Sequence, residues 1–108
     1  MRLSARLKGN LDLLLLAVLR DGPAHGYAII SALRERSDGA FDLAEGTIYP
    51  ALHQLEAAGH VTSRWDDTGA RRRRVYSLTA RGRRELAAER ERWHGFARGV
   101  QAIVGVST

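Results

Sequence analysis

The sequence predicts a small α+β fold that is mainly α, and three observations lead to this class. Three short segments carry apolar residues at helical spacing, two segments then alternate between apolar and polar residues, and a long final segment has one apolar stripe. The chain of 108 residues has the length of one domain. Its hydrophobic fraction of 44% argues against intrinsic disorder.

The first two helices are predicted from caps and breakers. The first runs from an N-cap at Asn10 to Arg20, where the stretch "DGP" stops it. The second covers about residues 24–36 and ends at the Ser-Asp-Gly sequence that follows.

The third helix is predicted from apolar residues at i, i+4 and i+7, which are Ile48, Leu52 and Leu55. Pro50 has no N–H group, so it belongs in or near the first turn, and this places the helix start between residues 44 and 47. Gly59 ends the helix.

A β-hairpin and a last helix complete the chain. Residues 60–65 and 71–78 alternate with period two, and "DDTGA" between them is typical of a turn. Thr79 is expected to cap a helix that extends to about Val104.

This order of elements is that of a winged helix-turn-helix with a two-stranded wing and a long C-terminal helix. We therefore expect residues 1–79 to form a DNA-binding domain and residues 80–108 a dimerisation helix, joined in one compact unit. In this architecture the third helix enters the major groove of DNA, and the wing lies along the backbone or in the adjacent minor groove.

The amino-acid composition favours some classes of function and argues against others. The formal charge is +5, and every basic residue except Lys8 is an arginine, whose planar guanidinium suits phosphate. The chain contains no cysteine, and no segment resembles a signal peptide or a membrane span, which is typical of a cytoplasmic protein. The four histidines lack metal-ligand spacing, and no catalytic set is evident, so we expect no metal, no cofactor and no enzymatic activity.

The candidate DNA-binding residues lie on three elements and at the N-terminus. Alternation in the wing places Arg71 and Arg73 on one face and Arg72 and Arg74 on the other. Each candidate also has an alternative role without DNA. The arginines of the wing could be a solvated charge run, Tyr27 and Tyr49 could pack in the core, and Lys8 could lie in a mobile terminus. The predicted contacts with double-stranded DNA are Lys8, Tyr27, Thr47, Tyr49, Pro50, His53, Arg72 and Arg73.

The apolar stripe of the last helix predicts an interface. A winged-helix core needs only the first part of this helix, so the stripe would be exposed in a monomer. The residues are Leu86, Trp93, Phe96, Val100 and Ile103. They are expected to pack in a homodimer.

Several stretches resemble the PadR family of bacterial transcription regulators. They are "LLLLAVL", "GPAHGYAI", "EGTIYPALHQLEAAGHV" and "RRRRVYSLTARG", together with the C-terminal Trp93. The resemblance covers nearly the whole chain and implies the short-tailed branch of the family. It implies a dimeric repressor that docks on DNA through "GTIYP" and is relieved by a small hydrophobic or aromatic effector, so that Trp93 either stacks on this effector or only packs in the dimer. The two-fold symmetry of such a dimer predicts an inverted-repeat operator. The rival interpretation is a winged-helix module that binds an acidic protein and not DNA.

Overall fold

The computed structural model describes residues 5–105, without the side chains of Ala5, Arg6 and Lys8. The Lys8 side chain, predicted to contact DNA, therefore lies outside the described part of the molecule. The elements in chain order are α1 (Ala5–Leu19), β1 (Ala24–His25), α2 (Gly26–Arg36), α3 (Glu45–Ala57), β2 (Val61–Asp66), β3 (Arg73–Leu78) and α4 (Ala80–Val104). The predicted class, a mainly helical α+β winged-helix fold, is confirmed.

The described residues form a sheet of three strands, and the prediction of two strands missed β1. The order is β1-β3-β2, with both pairs antiparallel. Ala24 and His25 pair with Tyr76 and Val75 of β3, although they were expected to begin the second helix. An N-cap residue has an extended backbone, and His25 has φ −85° and ψ 167°, so the same residue occupies the N-cap position of α2 and continues a strand.

The predicted N-cap at Asn10 is wrong, because α1 already begins at Ala5. Leu7 lies one helical turn before Leu11 and packs against the same core. This apolar contact favours continuation of the helix on the N-terminal side of Asn10.

One hydrophobic core joins the three N-terminal helices, the base of the wing and the first turns of α4. Tyr76 of β3 is only 1% exposed, and it fixes the wing to the helices. The other side chains that are almost fully buried are Leu15, Leu16, Ile29, Ile48, Leu52 and Val61.

The third helix begins at Glu45, within the expected range, but Pro50 lies in its second turn and not in its first. A proline there removes one main-chain hydrogen bond, because Pro50 cannot donate to the carbonyl of Gly46. The Pro50 side chain is exposed. The helix tolerates the residue at the cost of that bond.

The start of α4 is fixed by two residues of the "TARG" stretch. The hydroxyl of Thr79 accepts a hydrogen bond from the amide of Gly82 at 2.9 Å and donates to the carbonyl of Gly59 at 2.7 Å. A Cβ atom at Gly82 would lie 1.9 Å from the carbonyl oxygen of His60. The predicted cap at Thr79 is thus confirmed, and only glycine permits this close approach to the end of α3.

Candidate nucleic-acid interface

A concave surface of about 570 Å³ lies where the start of α2, the exposed side of α3 and the wing meet. We call it the wing groove. Its lining residues are His25, Gly26, Tyr27, Tyr49, His53, Trp65, Arg71, Arg72, Arg73, Arg74 and Tyr76. The structure therefore brings together five of the predicted DNA contacts, namely Tyr27, Tyr49, His53, Arg72 and Arg73.

The run of four arginines begins in the turn of the wing and ends in β3. Asp66 pairs with Arg73 across the hairpin and Trp65 pairs with Arg74, so neighbouring arginines of β3 lie on opposite faces, as alternation predicts. Arg71 and Arg72 precede β3 and belong to the turn, although the strand was expected to begin at Arg71.

Trp65 lies beside two of these arginines. The guanidinium carbon of Arg72 is 4.5 Å from the centre of the Trp65 ring, and that of Arg74 is 5.1 Å from it. Cations at such distances are attracted to the electron-rich face of the indole. Arg72 also forms an exposed ion pair with Asp67 at 3.0 Å, which contributes little stability.

Arg74 connects the wing to α3 through a serine. Its Nε donates to the hydroxyl of Ser63 at 2.8 Å, and that hydroxyl donates to the carboxylate of Glu56 at 2.7 Å. The chain of bonds runs from β3 through β2 to α3. We therefore assign Arg74 to holding the wing against the helices, and not to reaching outward.

Arg73 is held by a residue of β1. Its Nη1 lies 2.9 Å from Nε2 of His25. The guanidinium is exposed, and it lies on the side of the wing that faces the start of α2.

Tyr49 is placed by a glycine of α2. Its ring is half-buried and packs against the core, and a Cβ atom at Gly26 would lie 2.1 Å from its hydroxyl oxygen. Burial and the negative charge of Glu45 raise the pKa of Tyr49, so the hydroxyl stays protonated and can donate a hydrogen bond. Tyr49 thus combines core packing with a hydrogen-bond donor and lines the wing groove.

Tyr27 does not pack in the core, since 60% of it is exposed. A hydrogen bond to Glu45 and the charge of that carboxylate raise the pKa of Tyr27. Thr47 and Pro50, also predicted as DNA contacts, lie on α3 but do not line the wing groove. Thr47 is half-buried, while Pro50 is exposed.

Six residues of the wing groove were not among the predicted DNA contacts, namely His25, Gly26, Trp65, Arg71, Arg74 and Tyr76. Trp65 lies in the predicted hairpin but was given no role, and Arg71 and Arg74 were not selected from the run. A signal was present for Trp65, because the hairpin register places it beside Arg74. His25 carried no such signal, since its contact with Arg73 spans 48 residues of the chain.

A second concave surface, of about 890 Å³, lies between α1 and α4, and we call it the α1–α4 groove. Its lining residues are Leu7, Gly9, Asn10, Leu13, Leu14, Phe41, Trp93, Phe96, Ala97, Val100 and Gln101. The rings of Trp93 and Phe96 lie 6.0 Å apart. Trp93, Phe96 and Val100 are exposed, and so is Ile103 further along α4. Leu86, expected to belong to the same interface, is instead buried in the core of the protomer.

Metal sites and membrane spans would indicate other kinds of function. Among the described residues, no group of His, Asp and Glu side chains could hold a metal ion. No helix within residues 5–105 is long and apolar enough to cross a membrane.

Comparison with known proteins identifies the family. The sequence model described as "Transcriptional regulator PadR-like family" matches residues 15–88, which is more than half of the chain. The chain belongs to this family. Transcriptional regulator Rv3488 of Mycobacterium tuberculosis is 36% identical over 80 residues, which are 74% of this chain and 72% of that protein. PadR-like proteins are transcriptional regulators and not enzymes, which confirms the prediction that this chain is not an enzyme.

Solved structures of PadR-like proteins share the fold. A transcriptional regulator from Clostridium thermocellum superposes with a TM-score of 0.87 at 27% identity, covering 94% of this chain and 99% of that one. Bacillus subtilis PadR, in a crystal structure with operator DNA, gives a TM-score of 0.66 at 32% identity. In that comparison the alignment covers 72% of this chain and 45% of the Bacillus protein.

Proposed function

We propose that this PadR-like protein is a homodimer that binds an inverted-repeat operator and represses transcription until a small hydrophobic or aromatic effector releases it. The observation that carries the proposal is the wing groove. It collects a run of arginines, three tyrosines and two histidines on one concave surface of a chain with a charge of +5. Such a surface suits a phosphate backbone.

The arrangement supports a division of tasks on DNA. Tyr49 and His53 project from α3, which would enter the major groove, and Arg73 of the wing would contact the adjacent phosphates. Thr47 and Pro50 lie outside the groove on the same helix and stay predicted contacts of its N-terminal half. That a relative, Bacillus subtilis PadR, was crystallised with operator DNA supports this use of the fold.

The exposed side of α4 supports the dimer. Phe96 is 65% exposed and Ile103 is 87% exposed, and an apolar stripe of this size is costly in water. A second copy that placed its own α4 in the α1–α4 groove would cover both stripes. A two-fold axis would then place two copies of α3 in successive major grooves, about 34 Å apart.

The effector would act at the same surface. Trp93 lines the α1–α4 groove beside Phe96, where an aromatic ligand could stack between the protomers. The ligand releases DNA only if it binds better to a dimer in which the two copies of α3 are wrongly spaced. Since such a regulator acts on chromosomal DNA, we place it in the cytoplasm.

The test has two stages. Fragments of the source genome that bind the purified protein are selected and sequenced, and the enriched duplex is used in fluorescence anisotropy titrations at several salt concentrations. The dissociation constant should rise steeply with salt. Arg73→Ala should weaken binding on every sequence and reduce the salt slope by roughly one unit for each wing that binds.

Arg90→Ala is the matched control, because it removes the same charge from an exposed position on α4. If binding is independent of salt, or if both variants change the slope equally, the wing groove is not the DNA-binding surface.

A further inference from the structure

His25 connects the start of α2 with the wing, and both of its ring nitrogens face a hydrogen-bond donor. Nδ1 lies 3.4 Å from the main-chain N–H of Ala28. Nε2 lies 2.9 Å from Nη1 of Arg73. Neither an amide N–H nor a guanidinium can accept a hydrogen bond, so both contacts require a lone pair on the imidazole.

A neutral imidazole has only one such lone pair. One of its nitrogens carries the proton and donates, and the other accepts. The two contacts of His25 therefore exclude each other, and the ring must serve either the cap of α2 or the arginine of the wing.

The distances and charges decide between the two. The contact with Arg73 has the length of a normal hydrogen bond, while 3.4 Å to Ala28 is near the limit for one. A hydrogen bond from a charged donor is also roughly twice as strong as one between neutral groups. We infer that the lone pair of His25 is on Nε2, that it holds Arg73, and that His25 is a positioning residue for the DNA contact of the wing.

The pairing of β1 with β3 fixes the relative positions of His25 and Arg73. His25 is paired with Val75 in the sheet, and Arg73 lies two residues before Val75 on the same side of β3. The ladder thus fixes the base of both side chains. A guanidinium has five N–H donors, and the bond to His25 occupies one of them, so the same Arg73 can also bind a phosphate.

The consequence is preorganisation of the wing. An arginine that is already ordered loses less conformational freedom when it binds, which is worth roughly two- to ten-fold in affinity for each such side chain. This inference rests on the proposed binding of DNA. The direction of the effect follows from the bond, because an arginine that loses its support must be ordered by the DNA itself.

Two substitutions separate the two contacts of the ring. In His25→Gln the side-chain carbonyl can take the place of Nε2, so the support of Arg73 is retained. In His25→Asn the shorter side chain can still cap α2, but it does not reach Arg73. Binding to a labelled duplex of about 30 base pairs of mixed sequence is measured for the wild type, both variants, Arg73→Ala and the double variant His25→Asn/Arg73→Ala.

We expect His25→Gln to bind like the wild type and His25→Asn to bind roughly two- to ten-fold more weakly, although its melting temperature should be no lower than that of the wild type, because asparagine is a good N-cap residue. In the Arg73→Ala background, His25→Asn should have no further effect, because the residue acts through that arginine. If His25→Asn binds like the wild type, or if its effect persists without Arg73, the positioning role is refuted while DNA binding stands. If the wild type itself shows no salt-dependent binding, the proposed function fails and the inference fails with it.

A measurement on the free wild-type protein needs no variant. Long-range ¹H–¹⁵N correlation spectra at about pH 8.5, where imidazole rings are neutral, distinguish the two tautomers. The lone pair on Nε2 predicts that Nδ1 of His25 carries the proton. A proton on Nε2 would show that the ring caps α2 instead, and it would overturn the inference.

Discussion

Gly26 and Tyr49 provide the sharpest test of how the wing groove is built. In Gly26→Ala the new Cβ atom would lie 2.1 Å from the hydroxyl oxygen of Tyr49, 2.4 Å from its Cζ and 2.7 Å from its Cε1. Favourable contacts between such atoms lie at about 3.5–4.0 Å, so the ring must move by about 1 Å or more. Overpacking of this kind costs about 1–3 kcal/mol, because Tyr49 is also packed against the core.

A cost of this size should be visible in melting and in DNA binding. For a domain of this length, 1 kcal/mol shifts the melting temperature by about 4–8 °C, so Gly26→Ala should melt about 4–24 °C lower than the wild type. At 20 °C, where we expect the variant still to be folded, binding to the operator should weaken by about ten-fold, since the displaced tyrosine loses one good contact. Differential scanning calorimetry and anisotropy titrations measure the two effects.

Two comparisons show whether the tyrosine is the cause. Gly95→Ala is the matched control, because the nearest atom to its Cβ is Nη2 of Arg98 at 3.9 Å, and its melting temperature should stay the same or rise. In the Tyr49→Leu background the clashing atoms are gone, so Gly26→Ala should cost less than about 0.5 kcal/mol there. If Gly26→Ala is as destabilising without the ring as with it, the contact does not fix Tyr49.

The remaining predictions concern the helices. Trp93→Glu should yield monomers in light scattering, because it places a charge on the exposed stripe of α4, whereas an unchanged dimer mass would refute that interface. Desolvation and the charge of Glu89 raise the pKa of Asp12, so its charged form destabilises the fold at neutral pH. Asp12→Asn should therefore raise the melting temperature at pH 7, and the gain should shrink as the pH falls and vanish below pH 3.8, where Asp12 is protonated in the unfolded chain as well. Gly82→Ala should cost more than about 3 kcal/mol, because its Cβ would meet the carbonyl of His60, and circular dichroism on heating would detect the loss.

The helices and the hairpin could be predicted because their signals are local. Helical spacing places Ile48, Leu52 and Leu55 on one face, and all three are buried. Alternation places Tyr76 and Leu78 on the inner face of the wing, and the observed register confirms it. In each case the residues that define the pattern are within a few positions of each other.

The features that could not be predicted depend on contacts between residues that are distant in the sequence. A strand of two residues has no period, and β1 exists only because β3 pairs with it. The same holds for Gly26. This position must be a glycine because a side chain there would clash with Tyr49, which lies on another helix. The composition alone also does not distinguish the four arginines, whereas their roles depend on contacts with residues of β1, β2 and α3.

That difference changes how the charge of the wing should be interpreted. Arg72 is paired with Asp67, and Arg74 is connected to Glu56 through Ser63, so the field of each of these arginines is partly cancelled by a carboxylate. Arg73 lies opposite Asp66 in the hairpin and is also held by the ring of His25, which orders the guanidinium and adds no negative charge. Counterion release on DNA depends on the net charge that reaches a phosphate, and not on the number of arginines. The run therefore combines two requirements that oppose each other in a flexible basic tail. Carboxylate and indole contacts reduce the mutual repulsion of the arginines and keep the hairpin folded, and Arg73 is ordered by a side chain that adds no negative charge.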